Sequence, residues 1–143
     1  MKEFFAKKRV WALDILRVFF GLAFVVAALD KILGLEMAKG MFEMLFGASL
    51  GAPLLYLAIV NELVGGLSLL FNRHASCMAA LLSVFIFVAL IVTWKIGAAP
   101  NIAAWLRELL VMNTGGGNTA VNFAYLAGLL TLAFSGCDSC KEK

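Results

Sequence analysis

The chain has 143 residues, 63% of them hydrophobic and 15% charged, with a formal net charge of +3 and a mean hydropathy of +0.96. A soluble domain is about half apolar and about a quarter charged, so this composition excludes a water-solvated globule. The apolar surplus lies in long runs, which points to a lipid bilayer as solvent. The few basic residues stand at segment ends, so no nucleic-acid surface is implied.

The N-terminal stretch, MKEFFAKKRVWALDILRVFFGLAFVVAALD, has the basic start of a secretory signal and a small-residue patch at Val26 to Ala28. Its apolar run is longer than a signal core, and Asp14 and Arg17 interrupt it. It reads as a retained first membrane span over residues 12–33, with Lys2, Lys7, Lys8 and Arg9 before it and Trp11 as an interfacial anchor. Arg17, Gly21, Ala28 and Lys31 share one broad helical face. Residues 34–51 carry Glu36, Lys39 and Glu43 on one side and Met37, Met41, Met44 and Leu45 on the other. That amphipathic pattern is too short to cross, so it is expected to lie along the interface and cover the bundle mouth, with substrate gating as the alternative role.

The second span, residues 53–71, is apolar except for Asn61 and Glu62 near its centre. At ~1.5 Å per residue it is just long enough to cross a ~30 Å hydrocarbon core. A carboxylate at that depth costs at least ~2.5–3.5 kcal/mol, so Glu62 is expected to face protein and meet a partner. Gly65 and Gly66, one turn on, allow another helix to come close. Asn72-Arg73-His74 makes a tight polar turn into a third span, residues 75–94, which ends at Trp94 and Lys95. After Pro100, residues 101–112 read as a second short interfacial or re-entrant helix with Trp105, Arg107 and Glu108, broken by Gly115 to Gly117. A fourth span over residues 119–135 leads to the tail GCDSCKEK, residues 136–143. The two halves are not alike enough to be a repeat.

The expected fold is therefore all-α: one integral membrane domain, a four-helix antiparallel bundle with two short interfacial helices. Lys2, Lys7, Lys8, Arg9, Arg73, Lys141 and Lys143 collect on one side, against Lys31, Lys39, Lys95 and Arg107 on the other. That bias puts both termini in the cytoplasm.

The stretches ILRVFFGLAFVVAALDKILG and NELVGGLSLLF, followed by a basic turn and an Ala/Leu-rich third span, resemble the DoxX family of small four-helix membrane proteins of bacteria and archaea. The family pattern has an Arg and a Lys about four turns apart in the first span, here Arg17 and Lys31. It has a Glu followed by Gly-Gly or similar in the second, here Glu62, Gly65 and Gly66. The resemblance covers about the first two-thirds of the chain and weakens after Ile96. It implies a prokaryotic inner-membrane location and a link to thiosulfate:quinone oxidoreductase subunits, to quinone-related stress, and to complexes handling thiol or superoxide stress. Kinship of fold does not transfer a reaction. The family tail lacks paired cysteines, so any role for Cys137 and Cys140 is not inherited.

Arg17 and Glu62 form the first candidate site. Their spans run antiparallel, and a long guanidinium side chain is expected to bridge the axial gap between them. The pair would partly offset the desolvation of both groups. It reads either as an ion pair fixing helix packing or as a polar pocket in which Glu62 handles a proton and Arg17 holds an anionic or quinone oxygen. Asp14, one turn before Arg17, competes for it. Asn61 points about 100° away from Glu62 and is expected to bond another helix. Asp30 and Lys31 are expected to snorkel at the outer interface, or Lys31 to attract an anion such as thiosulfate. Trp94 and Trp105 read as outer belt residues, or one as a cover for a quinone ring. Lys31, Asn61 and Asp14 complete the expected substrate-binding set.

The cysteines offer three readings. His74 and Cys77, with Cys137 and Cys140, have the H-x2-C and C-x2-C spacings of a Cys3His zinc site. Cys137 and Cys140 alone suit a redox dithiol, one thiolate attacking a disulfide and the other resolving it. The third reading gives them no chemistry, with Cys77 a small buried hydrophobe. His74 is the only histidine, which argues against a heme with two histidine ligands.

The leading expected function is a redox-associated membrane protein, a subunit or partner of a quinone-linked oxidoreductase acting on small sulfur species or thiols, with Cys137 and Cys140 as an electron relay. The alternative is a non-catalytic scaffold or small-solute binding protein, and a small transporter is a third reading. The lipid bilayer is the first expected partner, then an oxidoreductase subunit. A homo-oligomer is left open.

Overall fold

A computed structural model describes residues 2–92, 102 and 119–135, and among these every regular element is helical. We number the helices α1 (Lys2–Leu33), α2 (Leu35–Phe46), α3 (Ala48–Leu70), α4 (Ala75–Val92) and α5 (Thr119–Ser135). Among the described residues, three stretches are long and apolar enough to cross a membrane: Val10–Leu33, Ala48–Leu70 and Ala75–Val92. Helix α5 is a shorter apolar helix of 17 residues, about 25 Å long. The expected interfacial helix over residues 101–112 lies, apart from Ile102, outside the described residues, as does the 136–143 tail.

The first span is continuous with the basic segment before it, in one helix of 32 residues. The second begins earlier than expected and carries Pro53 inside it. A proline there removes one backbone hydrogen bond. Contact with α2 favours the extra turn: a Cβ on Gly51 would lie 2.6 Å from both Cα and N of Glu43, so only glycine allows the backbones this close. Gly47, with φ of +85°, makes the bend between the two helices at an angle that glycine adopts freely.

As expected, α2 is amphipathic. It buries Ala38, with Leu35 and Phe42 beside it, against Leu55 and Ile59 of α3, and leaves Met37, Met41 and Met44 exposed. Helix α1 packs mainly against α3, and α4 against α5. The contact of α1 with α3 is set by Gly21 and Gly66. A Cβ on Gly66 would lie 2.8 Å from the Gly21 carbonyl oxygen and 2.9 Å from the Val25 nitrogen. Small residues thus bring two backbones together where lipid gives side chains little reason to associate. The main core joins Phe20 and Phe24 of α1, Leu69 of α3, Ala79, Leu82 and Ile86 of α4, and Leu129 and Leu132 of α5. Tyr125 meets Phe20 and Phe24 edge-on, at ring-centroid distances of 5.2 and 5.9 Å.

The outward faces are apolar as well. Leu22, Val26 and Leu29 on α1, and Leu57, Val60 and Val64 on α3, are exposed. Continuous apolar exposure of this kind suits acyl chains rather than water. The chain is a multi-pass membrane protein.

Candidate functional site: an ion pair at the wall of an aromatic cavity

Glu62 is buried and paired, as its position in α3 demands, but its partner is Lys31 rather than Arg17. The Lys31 Nζ lies 2.8 Å from Oε2 and 3.0 Å from Oε1 of Glu62. Side-chain direction explains the choice. Every Cα–Cβ bond on a helix tilts toward that helix's N-terminus. Lys31 stands in the last turn of α1, so its side chain leans back along α1 and donates to the Ala27 carbonyl at 3.3 Å. Because α3 runs antiparallel, Glu62 leans the opposite way, and the two side chains converge.

Arg17 leans away from Glu62 for the same reason. Its Nη1 donates to the carbonyl oxygens of Leu69 and, at 3.0 Å, of Leu70. That level of α3 is eight residues past Glu62, roughly 12 Å along the axis. The expected Arg17–Glu62 pair is therefore not formed. Arg17 instead caps the C-terminus of α3, where unsatisfied carbonyls and the helix dipole favour a cation. Asp14 accepts a long 3.4 Å contact from Arg17 Nε and is 58% exposed, so it competes only weakly.

The remaining sequence candidates scatter. Asn61 was expected to bond another helix, and among the described residues its buried Nδ2 meets no hydrogen-bond partner. Lys31 does not snorkel outward; it turns inward to Glu62. His74 sits in the α3–α4 turn with φ of +52°, and Cys77 is exposed rather than a buried hydrophobe. Among the described residues no three His, Cys, Asp or Glu side chains could share a metal ion. Cys137, Cys140, Trp94 and Trp105 lie outside those residues, so the zinc and dithiol readings stay as proposals.

Lys31 and Glu62 form part of the wall of a cavity of about 250 Å³. Phe42 and Phe46 of α2, Phe85 of α4 and Asn122 of α5 contribute to the same wall. The Lys31 side chain is 23% exposed and that of Glu62 8%. Lys31 has three N–H donors, two directed at Glu62 and one at Ala27, so a ligand oxygen would have to displace the long bond to Ala27. The ammonium can donate to such an oxygen, the carboxylate can accept or return a proton, and the aromatic side chains can enclose a flat ring. Sequence reasoning missed this use of Lys31. Combining the Cβ tilt with an antiparallel register would have found it, whereas no local signal marks Phe42, Phe46, Phe85 or Asn122.

No curated protein and no solved structure matches the chain. A family model, DoxX, matches residues 12–96, more than half of the sequence and a stretch that includes both Lys31 and Glu62. Proteins of this family are generally membrane proteins associated with oxidoreductases. By that match over more than half of its length, the chain belongs to the DoxX family.

Proposed function

We propose that the protein is a subunit or partner of a quinone-linked oxidoreductase acting on small sulfur species or thiols, in a prokaryotic inner membrane with both termini cytoplasmic. The observation that carries this reading is a lysine–glutamate pair bordering an otherwise largely apolar, aromatic cavity within the helices. The residues fit a quinone headgroup: about 250 Å³ is slightly below the usual ~300 Å³ lower bound for ligand pockets, enough for a ring but not for a long prenyl tail. Lys31 would hold one ring oxygen and Phe42, Phe46 and Phe85 would enclose the ring. A bound quinone would supply two-electron, two-proton redox chemistry. Glu62 would take up or deliver the proton and Lys31 would hold it in place. Cys137 and Cys140, as a dithiol, would be an electron relay. Zinc on His74, Cys77, Cys137 and Cys140 is the competing use of those thiols, and metal analysis of protein purified without chelator separates the two.

The test is binding of a quinone analogue to purified protein, followed by quenching of intrinsic tryptophan fluorescence. Wild-type protein should bind it and Glu62→Gln should lose most of the affinity. Binding unaffected by that change, or absent from the wild type, refutes the redox reading. A non-catalytic scaffold would then be favoured, a reading supported by the full use of the three Lys31 donors inside the protein.

A further inference from the structure

We propose that Lys31 is a carbonyl-capture site, its amine condensing with an apolar aldehyde held in the aromatic cavity. The proposal uses the cavity of the redox reading but requires no quinone. Three observations carry it. The Lys31 side chain is partly open, at 23% exposure, so a small molecule can reach it. Its nitrogen touches both oxygens of one carboxylate, at 2.8 and 3.0 Å. The cavity it borders is mostly apolar, with three phenylalanines in its wall.

A lysine nucleophile attacks through a neutral nitrogen, so one proton must first leave the ammonium, and Glu62 Oε2, 2.8 Å away, is the base placed to receive it. Glu62 takes one proton from the ammonium. The freed lone pair attacks the carbonyl carbon, forming a C–N bond, and a second proton passes from nitrogen to the former carbonyl oxygen. Glu62 returns its proton to that hydroxyl, which leaves as water. The balance is R–CHO + Lys–NH3+ → R–CH=NH+–Lys + H2O, with charge conserved and nothing oxidised or reduced. Glu62 ends as a carboxylate beside the iminium, the position it now holds beside the ammonium. The apolar wall limits access of water and so slows hydrolysis.

Lys39 is an internal reference. It is 46% exposed, and its nitrogen lies 4.0 Å from Glu43 on the surface of α2. Protein in detergent is treated with benzaldehyde and cyanoborohydride, which traps the imine as a benzylamine, and peptides are read by mass spectrometry. Burial of the ring should label Lys31 about tenfold more than Lys39. Glyoxylate, an aldehyde carrying a negative charge, should reverse that preference. Lys31→Arg keeps the cation facing Glu62 and should abolish the label at that position only. In Glu62→Gln, labelling of Lys31 should fall. A rise would mean that Glu62 merely restrains the amine, and overturns the proposal. Should that variant not fold, the wild-type comparison decides alone: benzaldehyde labelling of Lys31 no greater than that of Lys39 also overturns it. Quinone-analogue binding is read by fluorescence, so failure of either idea is visible without the other.

Discussion

Replacing Lys31 by methionine keeps much of the side-chain volume and leaves Glu62 without its partner. Breaking a buried ion pair from one side costs about 3–5 kcal/mol, because a desolvated charge remains. Glu62 is only 8% exposed, whereas the Lys31 side of the pair is 23% exposed and so less fully desolvated. The lower end of that range, about 3 kcal/mol, is therefore expected. Adding Glu62→Gln to Lys31→Met should recover most of the loss. In a double-mutant cycle the two residues should couple by about 2 kcal/mol, whereas Arg17 and Glu62, far apart along the bundle, should be additive within about 0.5 kcal/mol. The assay is unfolding of reconstituted protein in a titration of denaturing detergent, followed by helical circular dichroism. A cost below about 1 kcal/mol for Lys31→Met, or a larger coupling of Glu62 to Arg17 than to Lys31, would refute the assigned pairing.

Three further outcomes follow from close packing and polar burial. Gly66→Ala should destabilise by about 1–3 kcal/mol, because its methyl group meets the Gly21 oxygen and the Val25 nitrogen, backbone atoms that cannot swing away. Gly40→Ala on α2, with nothing within 4 Å, should be neutral or add up to about 1 kcal/mol through helix propensity; the same detergent titration checks both, and an inverted order would contradict the α1–α3 register. Asn61→Leu removes a buried N–H that has no partner among the described residues and should leave stability unchanged or raise it by about 1 kcal/mol in thermal unfolding. A loss larger than about 1 kcal/mol would mean that the amide has a partner.

Much of the fold was legible because a bilayer imposes a simple rule: a segment that crosses it must be apolar and satisfy its own backbone. The runs ending at Leu33 and Leu70, and the one beginning at Ala75, obey it. The amphipathic pattern of Met37, Met41 and Met44 against Lys39 and Glu43 likewise identified α2. The start of α3 was misread because Pro53 resembles a helix beginning, and the tertiary contact of Gly51 with Glu43 outweighs that local preference. The site was only half legible. Glu62 stands out in any hydropathy reading, and so do the available cations, but distance along the chain does not tell which cation turns toward it.

The sequence by itself determined that an acidic side chain would lie deep in the second span and require a counter-charge, since the cost of burying it depends on residue type and depth alone. The tertiary structure alone decided that the counter-charge is Lys31, that Arg17 caps α3 instead, and that an aromatic-walled cavity opens beside the pair. The physical reason is register. Close contact between Gly21 and Gly66 fixes how the antiparallel helices slide past one another, and the backward tilt of each Cβ then selects the lysine over the arginine.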